Sequence, residues 1–182
     1  MTKKILVVDL ESTCWEEDGD YQRLHSEIIE IGICILDTSN GNITDQRGIL
    51  VKPVKSDISP FCTKLTSITP ELVEKEGISL SEAVEILKKN YQSEHLTWSS
   101  YGAYDKKFLK EQCFKQRIRY PMTENHINIK VLLSETLNLN KGLGMKRALE
   151  KLNIPLDGRH HRGVDDANNS AKILRWILNN QQ

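Results

Sequence analysis

Four carboxylates and one histidine, spread along a chain of 182 residues, are the side chains best suited to chemistry. They are Asp9 and Glu11 in ILVVDLEST, Asp105 in SYGAYDKKFL, and His161 with Asp166 in HHRGVDDANN. Each lies where a predicted strand, loop or helix ends. Carboxylates brought together repel one another unless a cation lies among them. Their hard oxygen ligands predict a site for two divalent cations, Mg²⁺ or Mn²⁺.

Such a set suits two-metal hydrolysis of a phosphodiester bond. In that chemistry two ions about 3.5–4 Å apart activate the attacking water and stabilise the leaving oxygen. A histidine that is neutral near pH 7 can accept the proton of the water as general base. We therefore predict four metal ligands and one base.

The first two carboxylates lie two residues apart on one predicted strand. Side chains at positions i and i+2 point to the same side, so Asp9 and Glu11 reach one volume at the C-terminal end of that strand, where α/β sheets usually bind ligands. Taken alone, the pair also fits a strand that ends in a polar loop. Asp105 alone also fits a capping residue or dipole partner at the start of a helix. The combination of all four carboxylates favours the metal site.

Helical spacing separates Asp166 from Asp165. The inward stripe predicted for the last helix consists of Val164, Ala167, Ala171, Leu174 and Leu178. Asp166 shares a largely apolar row with Ser170, Ile173 and Ile177. Asp165 shares a more polar row with Asn169, Lys172 and Trp176. Asp166 is therefore predicted to point inward, and His161, five residues before it, is preferred to His160.

The elements that position these residues follow from hydrophobic patterning. Strands are predicted over residues 4–10, 28–36, 43–51 and 95–99, with a hairpin turn at 39–42. A long ordered loop is expected over 53–68, and a short helix begins at Thr69-Pro70. Further helices are predicted over 79–91, 105–116, 127–137, 143–152 and 164–179, the first with a capping box of Ser79 and Glu82. This order predicts one α/β domain over residues 1–182, with a mixed sheet flanked by helices.

Composition is typical of a soluble globular protein, at 38% hydrophobic and 27% charged residues. No apolar stretch approaches the roughly 20 residues of a membrane helix, so no membrane association is expected. The four cysteines lack metal-ligand spacing and predict free thiols in a reducing compartment, the cytoplasm.

Charge is unevenly distributed although the net charge is zero. Residues 1–100 contain 10 basic and 17 acidic side chains, whereas residues 101–182 contain 15 and 8. A basic C-terminal half could follow a phosphate backbone. Lysines on exposed helix faces explain the same numbers, and charge alone favours that interpretation.

The motifs resemble the DEDDh group of 3′–5′ exonucleases, and within it the Eri-type family, which includes the histone-mRNA 3′-exonuclease and KapD-like proteins. The resemblance runs from residue 4 to about 178 and is strongest in DLESTCW, EIIEIG, FCTKLTSIT, INIK and DGRHHRGVDDANN. The DEDDy sister group has tyrosine where Arg162 stands. The resemblance implies a ribonuclease-H-like (DnaQ-type) mixed five-stranded sheet flanked by helices.

Carried over by position, the resemblance implies that Asp9, Glu11, Asp105 and Asp166 are metal ligands and that His161 is the base. Phe61 and Tyr104 stand where the family stacks the 3′-terminal base, although Phe61 alone also fits a core position. Thr13, Leu65 and Thr66 are expected near the terminal nucleotide, and Ser67 replaces the glycine of the family's LTGI loop.

The implied function is a 3′–5′ exonuclease acting on single-stranded 3′ ends, RNA rather than DNA, and releasing nucleoside 5′-monophosphates. Two alternatives remain. One is oligoribonuclease-like degradation of very short RNAs, and the other is a non-catalytic KapD-like module that binds nucleic acid or protein.

Overall fold

A computed structural model describes residues 4–17 and 19–180. The strands are β1 (Lys4–Ser12), β2 (Ile28–Asp37), β3 (Ile43–Leu50), β4 (Trp98–Ser100) and β5 (His126–Asn128). They form one five-stranded sheet in the order β3-β2-β1-β4-β5. β1 and β3 run antiparallel to β2, whereas β4 runs parallel to both β1 and β5. The expected mixed sheet is confirmed.

The helices of the described residues are α1 (Asp20–His25), α2 (Pro60–Thr66), α3 (Pro70–Glu76), α4 (Leu80–Tyr91), α5 (Tyr104–Lys115), α6 (Ile129–Thr136), α7 (Met145–Lys151) and α8 (Gly163–Asn180). In that part of the chain, none is both long and apolar enough to cross a lipid bilayer.

The central strand β1 is covered on both faces. Leu6, Val8 and Leu10 pack in one core with residues of α4 and α5. Ile5 and Val7 point the other way and pack with residues of α6, α7 and α8. This two-residue alternation explains why the strand is apolar throughout until it reaches the acidic residues at its C-terminal end.

Several predicted elements are confirmed. The hairpin between β2 and β3 is present, Thr69 caps α3, and the Ser79–Glu82 capping box begins α4. The predicted helices over 105–116 and 164–179 correspond to α5 and α8 within one residue at each end.

Other predictions were wrong in part. The loop expected over 53–68 contains α2, where Ser59 accepts a hydrogen bond from the Cys62 amide and Pro60 occupies the first turn. Helix α1 was not predicted. The helix predicted over 127–137 begins only at Ile129, because His126–Asn128 pairs with β4 as a strand. The strand predicted over 95–99 begins only at Trp98 and ends at Ser100, one residue beyond the predicted range.

Candidate active site

The predicted carboxylates converge at the C-terminal end of β1. Side-chain oxygens of Asp9, Glu11 and Asp166 all lie within 4.8 Å of one another. Asp105 lies in the first turn of α5, directly after β4, and its Oδ1 accepts a hydrogen bond of 3.2 Å from the Leu10 amide. A cleft of about 300 Å³ is lined by Asp9, Leu10, Glu11, Tyr101, Tyr104, Asp105, Met145, His160, His161 and Asp166.

The choice of Asp166 as the inward carboxylate agrees with the structure. Asp166 is 3% exposed, whereas the Asp165 carboxylate accepts a hydrogen bond from the Arg159 amide and holds the preceding loop. The predicted rows of α8 need correction. Asn169, assigned to the polar row, is fully buried because its side-chain amide pairs with the backbone of Asp157. Val164 and Leu178, assigned to the inward stripe, are only partly buried.

Both histidines of the loop before α8 contact the Asp166 carboxylate, His160 through its ring and His161 through its backbone amide. His160 Nδ1 lies 3.1 Å from each oxygen of Asp166. The backbone amide of His161 donates to Asp166 Oδ2 at 2.9 Å, and the two imidazole rings stack with centroids 4.0 Å apart. His161 has a φ of 67°. The preference for His161 over His160 therefore stays a prediction.

The cleft brings buried carboxyl groups close together, which makes their ionisation unfavourable in the absence of a cation. Burial raises the pKa of Asp9 well above its usual range, and the neighbouring Asp105 and Glu11 raise it further. Burial, followed by the charge of Asp166, raises the pKa of Glu11 to about 8. Burial also raises the pKa of Asp105 to about 6. Such shifts are typical of functional sites, and a divalent cation would relieve the repulsion.

The donor chemistry fits a hard divalent cation. The carboxylate oxygens converge from three separate segments, so several could serve as ligands of one ion. Magnesium and manganese both prefer such oxygen ligands. Asp9, Glu11, Asp105 and Asp166 are the residues that would hold the metal.

A buried ion pair fixes the start of α8. Glu30 of β2 is fully buried. Its carboxylate accepts hydrogen bonds from Arg162 Nε and Nη2, each at 3.2 Å, and from the Gly163 amide at 2.8 Å. A Cβ on Gly32 would lie 1.9 Å from the backbone of Gly163, so only glycine allows the helix to approach β2 this closely.

The role of Glu30 was missed from the sequence. The sequence feature that could have indicated this role is the presence of a charged residue within the apolar run EIIEIG. Its partners could not be identified from the sequence because they are 132 and 133 residues away.

Replacing Arg162 with Ala is expected to lower the free energy of unfolding by about 3–5 kcal/mol, because the Glu30 carboxylate is then buried without its charged partner. Arg23 provides the matched control, because its pair with Asp20 is exposed and Arg23→Ala should cost about 0–1 kcal/mol. Urea unfolding of both variants measures the difference. Equal losses of unfolding free energy in the two variants would show that the buried pair stabilises the protein no more than the exposed pair does.

The residues predicted to contact a terminal nucleotide divide into two groups. Tyr104 lines the cleft, is 58% exposed, and stacks on Phe108 with ring centroids 5.2 Å apart. Phe61, on α2, is 38% exposed, so it is not a core residue. Phe61, Thr13, Leu65 and Thr66 do not line the 300 Å³ cleft itself.

The two threonines are buried. Thr13 Oγ1 bonds to Ser56 Oγ and accepts from the Glu27 amide. Thr66 Oγ1 donates to the Cys62 carbonyl and accepts from the Ile68 amide. Both hydroxyls are thus engaged inside the protein, so any contact with a ligand falls to the backbone. Ser67, which follows α2, has a φ of 61°, a conformation that favours the glycine of the LTGI pattern.

Some of the basic residues of the C-terminal half are engaged in surface pairs. Lys106 and Lys110 both contact Glu124. Lys115 pairs with Glu111, and Lys172 pairs with Asp157. For these four lysines the contacts favour the interpretation as ordinary helix surface.

A mixed five-stranded sheet with clustered carboxylates at the end of its central strand, and a histidine loop before the last helix, defines a DEDDh-type nuclease of ribonuclease-H-like fold. The chain belongs to the Exonuclease family (RNase_T), whose model matches residues 6–174.

Known proteins agree with this assignment. The 3′–5′ exoribonuclease 1 of Rattus norvegicus is 33% identical over 96% of this chain and 52% of its own length. The chain thus spans about half the length of the curated relatives it matches first. The nuclease domain of 3′hExo, a DEDDh family member bound to rAMP, superposes with a TM-score of 0.84 at 29% identity, covering 97% of this chain and 92% of that one. A 3′-exonuclease, in a structure of 3′-end-specific recognition of the histone mRNA stem-loop, superposes with a TM-score of 0.84 at 28% identity. The superposition covers 97% of this chain and 82% of that one.

Proposed function

We propose that this protein is a 3′–5′ exonuclease that removes nucleoside 5′-monophosphates from single-stranded 3′ ends, RNA in preference to DNA. The observation that carries the proposal is the convergence of Asp9, Glu11, Asp105 and Asp166 in one cleft beside two histidines. A protein that only binds nucleic acid has no need of four crowded carboxylates, because they repel a phosphate backbone.

The four carboxylates would hold two divalent cations, Mg²⁺ or Mn²⁺. When bound, these ions supply positive charge for the phosphate and acidify water. The chain itself contributes the orientation of its ligands. The Leu10 amide fixes Asp105, and the His161 amide fixes Asp166, so both carboxylates are held in place before any ion binds.

His161 acts in this proposal as the general base. Burial, and then the neighbouring His160, lowers the pKa of His161, which keeps a ring nitrogen unprotonated near neutral pH. Its ring lines the cleft, where it can accept the proton of the attacking water. His160 already contacts Asp166 through Nδ1, so we assign it a role in orienting that carboxylate.

Phe61 and Tyr104 are proposed to stack on the 3′-terminal base. Both aromatic rings are exposed although they are large and apolar, and stacking tolerates every base. Leu65 and the backbone near Thr13 and Thr66 would complete the site for the terminal nucleotide.

Replacing Phe61 with Ala should weaken binding of a single-stranded 3′ end by about 1–3 kcal/mol, the usual contribution of one base–aromatic contact. The effect should appear in KM more than in kcat, since stacking acts on a part of the substrate away from the reacting phosphate. Phe114, 84% exposed on α5, offers a matched control. If Phe114→Ala raises KM as much as Phe61→Ala, the stacking role is wrong.

The preference for RNA rests on the relatives. The rat protein is named an exoribonuclease, and the domain of 3′hExo was crystallised with rAMP, a nucleoside monophosphate of the kind proposed as product. Because the chain spans about half of those curated relatives, the natural RNA does not transfer from them.

The proposal is tested by turnover of matched end-labelled RNA and DNA, single- and double-stranded, with Mg²⁺, with Mn²⁺ and with chelator. We expect metal-dependent shortening from the 3′ end, fastest on single-stranded RNA. Dinucleotides tested beside long oligonucleotides separate this activity from the oligoribonuclease-like alternative, which prefers the shortest substrates. Binding without any metal-dependent turnover would support the non-catalytic alternative instead.

A further inference from the structure

We propose that Cys14 and Cys62 form an oxidation site, at which a hydroperoxide converts the two thiols into a disulfide that lowers the nuclease activity. The oxidation itself stands on the geometry of the two residues. Its effect on activity rests on the proposed function.

The two cysteines are neighbours in one apolar cluster although they come from distant parts of the chain. Each thiol shifts the pKa of the other, upward for Cys14 and downward to about 7 for Cys62, as neighbouring sulfurs do. Cys62 Sγ also lies 3.4 Å from the carbonyl oxygen of Ser12, the second residue before Cys14. The Cys62 sulfur therefore faces the Ser12–Cys14 backbone.

A second set of bonds holds the same two segments together. Ser59 Oγ donates to the Cys14 carbonyl at 2.6 Å and accepts from the Cys62 amide at 3.0 Å. Both cysteines belong to one small apolar cluster together with Ile29, Ile58, Ile68 and Val73. The thiols consequently stay near each other without a covalent bond.

The other two cysteines have no such arrangement. Cys34 Sγ contacts the carbonyl oxygen of Ala167 in the core beneath α8, and Cys113 lies in the core on the opposite face of the sheet. Both are buried. The chain thus contains one thiol pair and two isolated thiols, which serve as internal controls.

The chemistry balances with hydrogen peroxide as the oxidant. One sulfur attacks a peroxide oxygen and becomes a sulfenic acid, and water is released as the O–O bond breaks. The second sulfur then attacks the sulfenic sulfur, forms the S–S bond and releases a second water. The two thiols lose two protons and two electrons in total, and the peroxide takes them up to give the two water molecules.

The pair is placed where a new bond affects the cleft. Cys14 lies three residues beyond Glu11, and Cys62 is adjacent to Phe61 on α2. A disulfide has an S–S distance of about 2.05 Å, much shorter than the distance between the sulfurs of two separate thiols that pack against each other. Its formation must draw α2 and the segment after β1 together, which displaces Phe61 relative to the carboxylates.

The test begins with peptide mapping of the full chain. Reduced protein is treated with hydrogen peroxide, quenched with catalase, blocked with N-ethylmaleimide while unfolded, and digested without reductant. We expect a peptide pair joined through Cys14 and Cys62, lighter by two hydrogens, in the wild type and in the Cys34→Ala and Cys113→Ala variants. Recovery of Cys14 and Cys62 only as separate maleimide adducts would overturn the proposal.

Turnover of single-stranded RNA is measured on the same samples. We expect peroxide to cause a loss of wild-type activity that dithiothreitol restores, and no such reversible loss in Cys14→Ala or Cys62→Ala. A disulfide that leaves activity unchanged would refute the effect on the cleft. Reduced protein without activity would refute the proposed function, and the peptide map would still decide the oxidation site.

Discussion

Asp9→Asn is expected to abolish turnover and, at the same time, to stabilise the protein in the absence of metal. Burial, and then the neighbouring Asp105, Glu11 and Asp166, raise the pKa of Asp9 well above its usual range. At neutral pH the metal-free fold must either protonate Asp9 or bury its charge, which costs free energy. The substitution removes this cost. It also removes a ligand for ions whose stabilisation of transition-state charge amounts to several kcal/mol, so activity should fall by roughly 10³-fold or more.

Thermal unfolding in chelator and in excess Mn²⁺ measures the stability half of this prediction. A gain of about 1 kcal/mol for metal-free Asp9→Asn would raise its Tm by ~2–4 °C. Manganese should raise the Tm of the wild type, because a ligand that binds only the folded state stabilises it, and should raise that of Asp9→Asn much less. Asp45→Asn, on edge strand β3 and outside the cluster, is the control. An equal response of all three proteins to manganese would exclude the carboxylates as the metal site.

His161→Asn is expected to lower kcat by about 10²–10⁴-fold, the usual contribution of a general base, with little change in stability. Asparagine is the suitable replacement because His161 has a φ of 67°, and asparagine tolerates the left-handed region better than alanine. The Asp166 carboxylate keeps its hydrogen bond, since the backbone amide of residue 161 supplies it.

His160→Asn is the matched control for the choice between the two histidines. His160 contacts Asp166 through its ring, so its loss should disturb the orientation of that carboxylate and reduce kcat by less than His161→Asn does. Single-turnover rates on one RNA compare the variants without interference from product release. A larger loss for His160→Asn would reverse the assignment and make His160 the base.

Local patterns were sufficient to predict which carboxylates of β1 and α8 face the cleft. The two-residue alternation of β1 brought Asp9 and Glu11 to one side, and the helical spacing of α8 distinguished Asp166 from Asp165. These predictions succeeded because each depends on the geometry of one element, which repeats along the chain regardless of tertiary packing.

Long-range contacts explain what the sequence did not reveal. Glu30 is recognisable as a structural residue only when Arg162 lies beside it, and these residues are 132 positions apart. The burial of Asn169 depends on the loop at Asp157 folding back on α8. Strand β5 has three residues, too few for a periodic pattern, and exists because it pairs with β4.

The central claim is that the cleft around Asp9 hydrolyses the 3′-terminal phosphodiester bond of RNA. The most direct measurement is the identity of the first product released from single-stranded RNA in ¹⁸O-labelled water with Mn²⁺. The account predicts the 3′-terminal nucleotide as a nucleoside 5′-monophosphate that carries ¹⁸O on its phosphate, from the wild type but not from Asp9→Asn. Release of 3′-phosphates or cyclic phosphates, cleavage from the 5′ end, or equal product from Asp9→Asn would contradict it.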